Sequence, residues 1–506
     1  MSRASISTGG IDLPRSDKKS NNTPHDSSMP LHIAILGDFS GRKNRGVNDP
    51  STISQRKVIE INRDNFDEVF ATLQVELNLP IADQPLSFKE MDDLHPDFIY
   101  DRIPLFDKMR ILKRKLKKRE GFTEAAEEIT AWATFRNQQT ETATPEGIPL
   151  PDNLLDAVLQ RNNDISFLLA KSPVGDIDNL IKDIVKPYLV PKADPRQQDM
   201  LKAVDEATSD LMRKIMHHSD FQQLEASWRA LYLLVRRIET NVKLKLFLID
   251  ISQEEVRADL SSATTVEQSA LFKLLVEKRQ VASGTPFSLM LGDYQLGNTD
   301  QDANLATALA TIAATANATW LSAAHEHMAG SESLGTQPDV DDWLTSAENP
   351  LSDGWQALRK SPSALHFALN APRFMLRLPY GASTTSMENF DYEELPQSDN
   401  HDYYLWGNSA YMSALLLAES YSAFGWEFQP GRIQEVSDLP LHVYTHESES
   451  VVKPCAEILL TDRGAERLTQ AGLLPIRSVN AKDSIRIPSF DSIAENRATI
   501  RGPWKN

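Results

Sequence analysis

The sequence predicts an α/β protein: a mostly parallel or mixed sheet flanked by helices, preceded by a smaller N-terminal α+β domain. Three observations carry this expectation. Helical and strand periods alternate through residues 205–475, which is the pattern of a sheet covered on both faces by its crossover helices. The stretch Asp205–Asp250 holds two amphipathic helices that hand over to a strand. Between residues 121 and 151 the composition shifts to Glu, Thr, Gln and Pro, ending in TPEGIPLPDN, as expected of a linker between domains.

Taken in order, residues 1–28 carry almost no apolar side chains. They are expected to form a disordered tail, because little burial is on offer to offset the entropy of ordering. A domain is expected over 29–120. It opens with a buried strand, Leu31, Ile33, Ile35 and Leu36, that runs into the turn Gly37-Asp38-Phe39-Ser40-Gly41-Arg42. A short helix starts at Asn62-Arg63-Asp64-Asn65-Phe66-Asp67, and Val75–Leu79 alternates as a strand. In the next helix Leu105, Met109, Leu112 and Leu116 form an apolar stripe, while eight of the twelve residues from Lys108 to Arg119 are Lys or Arg. Two readings stay open there: a basic surface for acidic lipid, nucleic acid or an acidic protein face, or a helix packed by its stripe with a solvated back. Beyond the linker at 121–151, a helical segment is expected over 152–200. Within it Leu154, Leu155, Val158 and Leu159 share one side of a helix, either a docking peptide for a partner groove or a helix packed on its own domain.

The main α/β domain is expected over 201–482. Leu211 and Ile215, then Phe221, Leu224, Trp228, Leu231 and Val235, step by three and four, giving one apolar face to each of two helices. Asp220 with Gln223 three residues on reads as a capping box, so the second helix is expected to begin at Asp220 or Phe221. The period then changes to two for a strand over Val242–Ile249. Ser252 with Glu255 forms another capping box. Strands at Phe287–Leu291 and near Trp320 enclose an alanine-rich helix, and a helix is expected from about Trp406 to Phe424. Strands near Leu441–Tyr444 and Glu457–Leu460 come next, a helix over Arg463–Gln470 stops at Gly472, and residues 483–506 are expected as an irregular tail.

Charge and composition narrow the function. The 506 residues are 41% hydrophobic and 25% charged, as in soluble globular proteins. The net charge of −18 argues against a nucleic-acid partner, since phosphate binding needs clustered positive charge. No apolar run approaches the roughly 20 residues that span a bilayer, and the start MSRASISTGG lacks the apolar core of a signal peptide. A cytoplasmic location without direct membrane insertion is therefore expected. Cys455 is the single cysteine, so no internal disulfide or cysteine-cluster metal site is expected.

Catalytic constellations are weak. The loop after the first strand lacks the Gly-Lys-Ser/Thr ending of a phosphate-binding loop. His325-Glu326-His327 has the wrong spacing for a zinc protease, which needs its histidines one helical turn apart. His217 and His218 read as surface or capping residues at a helix junction, and Glu393-Glu394 and Asp341-Asp342 as solvated carboxylates. A Leu-Gly-Asp-aromatic sequence occurs twice, at Leu36–Phe39 and Leu291–Tyr294, each time after a strand. No catalytic residue, metal or cofactor is assigned. Arg373, Arg377, Tyr380, Trp406 and Trp426 either line a nucleotide or sugar cleft of an α/β enzyme or, with Phe221, Leu224, Trp228 and Arg229, anchor a core and a large interface.

In order, HHSDFQQLEASWRALYLLV, PFSLMLGDYQLG, APRFMLRLPYG, YYLWGNSAYM, AFGWEF, LPLHVY, CAEILLTDR and AGLLPI resemble the large subunit of the type VI secretion contractile sheath. PLHIAILGDFSGR, INRDNFDEVF and FKEMDDLHPDFIYDRIPLF resemble its small subunit. The two resemblances cover about 30–120 and 152–480, as in a fusion of two proteins that form a heterodimer in the family. The resemblance implies a structural sheath component assembled around an inner tube for contraction-driven effector delivery. Its implied partners are other sheath subunits, the inner tube protein and baseplate components. Leu154, Leu155, Val158 and Leu159 fall where the family's AAA+ unfoldase docks. Ala230 replaces the usual glycine after the Trp-Arg pair, and the interlocking C-terminal region of large subunits is expected to be lacking. A sheath-derived accessory that caps, seeds or joins the baseplate without polymerising is the alternative.

Overall fold

The computed structural model describes residues 29–82, 84–117, 125, 197–279, 284–396, 400–446 and 448–505. The expected tail at 1–28, the linker apart from Ala125, and the segment bearing Leu154, Leu155, Val158 and Leu159 lie outside the described residues.

Seven strands form one sheet: β1 (Leu31–Gly37), β2 (Ile59–Ile61), β3 (Leu244–Asp250), β4 (Leu289–Leu296), β5 (Thr319–Ala324), β6 (Phe367–Ala371) and β7 (Leu473–Pro475). Their spatial order is β7-β6-β5-β4-β1-β3-β2. All neighbours run parallel except β2, which lies antiparallel on the edge of β3. The fold class is thus the mixed, mostly parallel α/β architecture expected.

Strand β1 sits between β3 and β4. Leu31–Gly37 pairs residue for residue with Leu244–Asp250, and Ile33–Leu36 with Leu289–Gly292. All seven of its residues are buried, because alternate side chains enter opposite cores. Leu31, Ile33 and Ile35 enter one core, Ala34 and Leu36 the other. Residues from the smaller N-terminal region therefore build the middle of the main sheet with β1 and one of its edges with β2. That region also supplies the hairpin Val75–Leu77 with Leu86–Phe88, and helices α1 (Phe66–Thr72), α2 (Pro96–Arg102) and α3 (Asp107–Lys117), whose apolar side chains join the core shared with the later part of the chain.

The first core is covered by α4 (Gln197–Met216), α5 (Ser219–Arg237) and the apolar helix α9 (Ala410–Phe424). The second is covered by α6 (Gln253–Ser262), α7 (Asp300–Thr315), α8 (Asp353–Lys360) and α10 (Asp462–Gln470). Helix α3 packs its stripe, Met109, Leu112 and Leu116, into the first core beside α4. No described helix is long and apolar enough to cross a membrane.

Several local expectations change. Helix α5 begins at Ser219, and its N-cap is His218, whose ring Nδ1 accepts from the Asp220 N–H at 3.3 Å; an imidazole acceptor thus takes the place assigned to Asp220. Strand β3 starts at Leu244, leaving Val242 82% exposed, because the chain before it turns through Asn241, which closes a backbone pair with Leu244. Trp406 belongs to a short strand, and α9 starts four residues later at Ala410. Strand β4 extends to Leu296. Glu457–Leu460 is not a strand: Glu457 N donates to Arg373 O while its carboxylate turns inward. Past Leu474, Ile485, Ile487, Phe490, Ile500 and Trp504 pack into the first core and Ile493 into the second.

The duplicated Leu-Gly-Asp-aromatic sequence falls at the carboxyl end of β1 and in the middle of β4, where Leu36 pairs with Gly292. A Cβ on Gly37 would lie 3.0 Å from the Asp293 Cβ, and one on Gly292 2.8 Å from both Ser322 Oγ and Trp320 Cζ2. Each glycine lets a neighbouring side chain approach the strand backbone closely. Gly292→Ala should therefore lower unfolding free energy by about 1–3 kcal/mol through overpacking, measurable by denaturant titration of the purified chain.

Candidate functional site

Three charged centres join the strand ends and the loops over the first core. At the first, Asp250 at the end of β3 accepts from Phe39 N at 2.9 Å, Ser40 N at 3.1 Å and Ser40 Oγ at 2.7 Å. Asp38 accepts from Arg42 N at 2.6 Å and Lys43 N at 2.8 Å. Carboxylates of the protein thus occupy the amide donors that a phosphate would need. Burial raises the pKa of both acids, and these hydrogen bonds partly offset it. Nearby, Glu255 is fully buried and receives Arg42 Nε and Nη2 at 2.9 Å each, together with Arg56. Burial alone would raise the Glu255 pKa, but the Arg42 hydrogen bonds win and hold it below the ordinary value. Glu255 also closes the expected capping box, accepting from Ser252 N at 3.0 Å.

The fourth carboxylate of this edge is Asp293, in the middle of β4 beside the carboxyl end of β1. Burial raises its pKa to about 6; Ser227, Asn408 and Tyr411 act in the opposite direction, and Asp38 adds to the rise.

The second centre is a buried quartet on α5 and the loop 377–394. Arg377 donates from Nε to Glu225 Oε1 at 2.7 Å and from Nη2 to Oε2 at 3.2 Å. It also donates from Nη1 and Nη2 to Glu394 at 2.6 and 2.8 Å. Arg229 bonds Glu225 at 2.6 Å and the Tyr380 hydroxyl at 2.9 Å, and the Tyr380 ring lies 4.3 Å beneath the Arg377 guanidinium. Two arginines thus balance two glutamates. Burial would raise the Glu394 pKa, yet Arg377 and His217 bring it down to about 2. His217 stacks on Tyr403 at 3.8 Å and faces Glu394 at 3.6 Å; it is not a surface residue. Glu394 is 1% exposed, which corrects its reading as a solvated carboxylate.

At the third centre Arg373 grips Glu457 with Nε at 3.0 Å and Nη2 at 2.9 Å, while His401 Nε2 lies 3.4 Å from the same carboxylate. Burial would raise the Glu457 pKa, but Arg373 and His401 bring it down to about 2. In the His325-Glu326-His327 run, His325 caps a 3-10 turn through His327 N, and Glu326 accepts from Leu334 N at 2.9 Å.

The residues singled out from the sequence are distributed as follows. Phe221, Leu224 and Trp228 lie in the first core, and Trp228 Nε1 donates to Phe39 O at 2.8 Å. Trp426 lies in the 3-10 turn that follows α9 and donates to Met29 O at 2.6 Å. Trp406 packs with Tyr404 and Met375 in a small cluster. Arg229, Arg377 and Tyr380 meet in the quartet, and Arg373 stands apart at Glu457. Sequence reasoning missed Glu225, Glu394, Glu457 and Glu255's second partner, Arg56. Glu225 was within reach, since it lies four residues after Phe221 and three before Trp228, on the apolar face.

Residues 198–494 match the protein family described as EvpB/VC_A0108, tail sheath N-terminal domain. Residues 16–131 match the family described as type VI secretion system, VipA, VC_A0107 or Hcp2. The type VI secretion system sheath protein TssC1 of Pseudomonas aeruginosa is 33% identical over 286 residues, covering 55% of this chain. The chain spans 57% of the length of that relative.

The Asp293 carboxyl gives a pH test. A raised folded pKa stabilises fully below the unfolded value, 3.8, and that contribution is lost as pH rises through about 6. The loss is at most about 3 kcal/mol. Asp293→Asn should remove this slope, so that thermal unfolding at pH 5 and pH 8 shows the variant gaining on the natural chain at the higher pH.

Proposed function

The chain belongs to the type VI secretion tail sheath family, and from that premise we propose that it is a structural subunit of a contractile sheath, with the small-subunit and large-subunit roles carried on one polypeptide. The observation that supports this most is the placement of β1. A strand from the VipA-like region lies between two strands of the tail-sheath region, so the contact that two chains would make is made within one. Asp250 on Phe39 and Ser40, Glu255 on Arg42 and Arg56, and Trp228 on Phe39 cross the same boundary.

In this role the sheath-type fold transmits force rather than performing a chemical step. The charged side chains at the strand ends serve as internal clamps, since their partners are protein groups. Other sheath subunits are the first partners, with the inner tube protein, baseplate components and an AAA+ unfoldase of the bacterial cytoplasm acting on the assembled sheath. Leu154, Leu155, Val158 and Leu159 are the proposed unfoldase-docking positions.

Electron microscopy of the purified full chain tests the proposal. Long hollow helical tubes, formed alone or on addition of inner tube protein, are the expected result. Discrete particles under both conditions, or particles found only at the ends of two-chain sheaths, would replace it with the accessory role.

A further inference from the structure

Helix α3 is buried on one side only. Its outer side presents Ile111, 41% exposed, with Arg114 and Lys117 exposed one and two turns along. The surrounding sequence is basic throughout: eight of the twelve residues 108–119 are Lys or Arg.

The opposite charge collects on the other face of the sheet. From residue 280 to residue 358 the sequence holds ten Asp or Glu and no Lys or Arg. Asp339, Asp341, Asp342, Glu348 and Asp353 are exposed, and Leu344 among them is 50% exposed. Between this segment and α10 runs a groove of about 590 Å³, with Val340, Trp343 and Thr345 on one side. The cations on its α10 side are already engaged, Arg463 by Asp341 and Arg467 by the Leu344 carbonyl.

Helix α3 packs on the first core and the acidic segment on the second, so the two surfaces of one molecule lie on opposite sides of the sheet. Two copies of the basic helix repel each other, and so do two copies of the acidic segment, whose neighbouring Arg463 and Arg467 are already held by Asp341 and the Leu344 carbonyl. The complementary pairing needs two molecules. We infer that α3 of one copy docks on the acidic groove of a second copy, with Ile111 against Val340 and Leu344, and Arg114 and Lys117 facing Asp339 and Asp342. Such a contact is heterologous: every bound pair keeps one unused helix and one unused groove, so it propagates. It deepens the sheath reading by naming a subunit contact, and rests on that reading only for its place in a longer assembly.

Crosslinking reads the contact directly. Chains bearing Ile111→Cys and chains bearing Leu344→Cys are mixed as full-length proteins with a short bismaleimide. Native Cys455 is buried and its thiol is pushed up to about 11, so the introduced thiols dominate. The expected product is a dimer joined 111 to 344, weaker at high salt because rim charges are screened. Arg114→Glu with Lys117→Glu on the first chain should lower its yield roughly tenfold, and Asp339→Lys with Asp342→Lys on the second should restore it. Absence of the 111–344 product, while both thiols label with a monofunctional maleimide, would overturn the contact. Tubes without this product leave the sheath reading intact and remove the contact; the product without tubes does the reverse.

Discussion

A strand that is paired on both edges and buried on both faces cannot be supplied late or loosely, and β1 is such a strand. Its backbone groups find their partners on β3 and β4, and buried backbone groups left unpaired are costly. Removing it would open two parallel edges in the middle of the sheet and uncover both cores at once. The tail-sheath region is thus incomplete without the VipA-like region, and the reverse holds for a lone strand with no sheet to join. Everything around the carboxyl end of β1 follows from this placement. Gly37 and Gly292 allow close approach, Asp250 gathers the turn after β1, and Trp228 fixes the Phe39 carbonyl.

The arginine–glutamate quartet solves a different problem. The loop 377–394 has little regular structure and must still hold a fixed position over α5. Burying ions costs several kcal/mol each, and pairing recovers that cost only when geometry is good and the remaining hydrogen-bond sites are filled. Here Arg377 is shared by two carboxylates and Arg229 by a carboxylate and a phenol. Fixing one loop geometry, rather than raw stability, is what such a quartet supplies. The Arg373–Glu457 pair does the same for the segment after the Glu449–Lys453 strand.

Much of the architecture was legible from periodicity. The helix faces of α4 and α5, the capping box at Ser252, the stop at Gly472 and the alternation of strands with helices follow from local spacing. The order of strands does not, because no local pattern records that β1 pairs with a strand more than 200 residues away. The duplicated Leu-Gly-Asp-aromatic sequence was visible, but its meaning required two strands to be adjacent. Glu394 was misread because a neighbouring glutamate suggested solvent, whereas its partner Arg377 is distant in neither sequence nor space. The sequence reads His218 as a surface or capping residue, and it takes the N-cap that the spacing assigns to Asp220, the commoner type of acceptor.

Native-state hydrogen exchange on the full chain is the most direct test that the two family regions fold as one unit. Amides of Leu31–Gly37 are expected to exchange only through global unfolding, at the same free energy as those of Leu244–Asp250 and Leu289–Leu296. Exchange of the Leu31–Gly37 amides at a distinctly lower free energy, with the other two strands still protected, would contradict it.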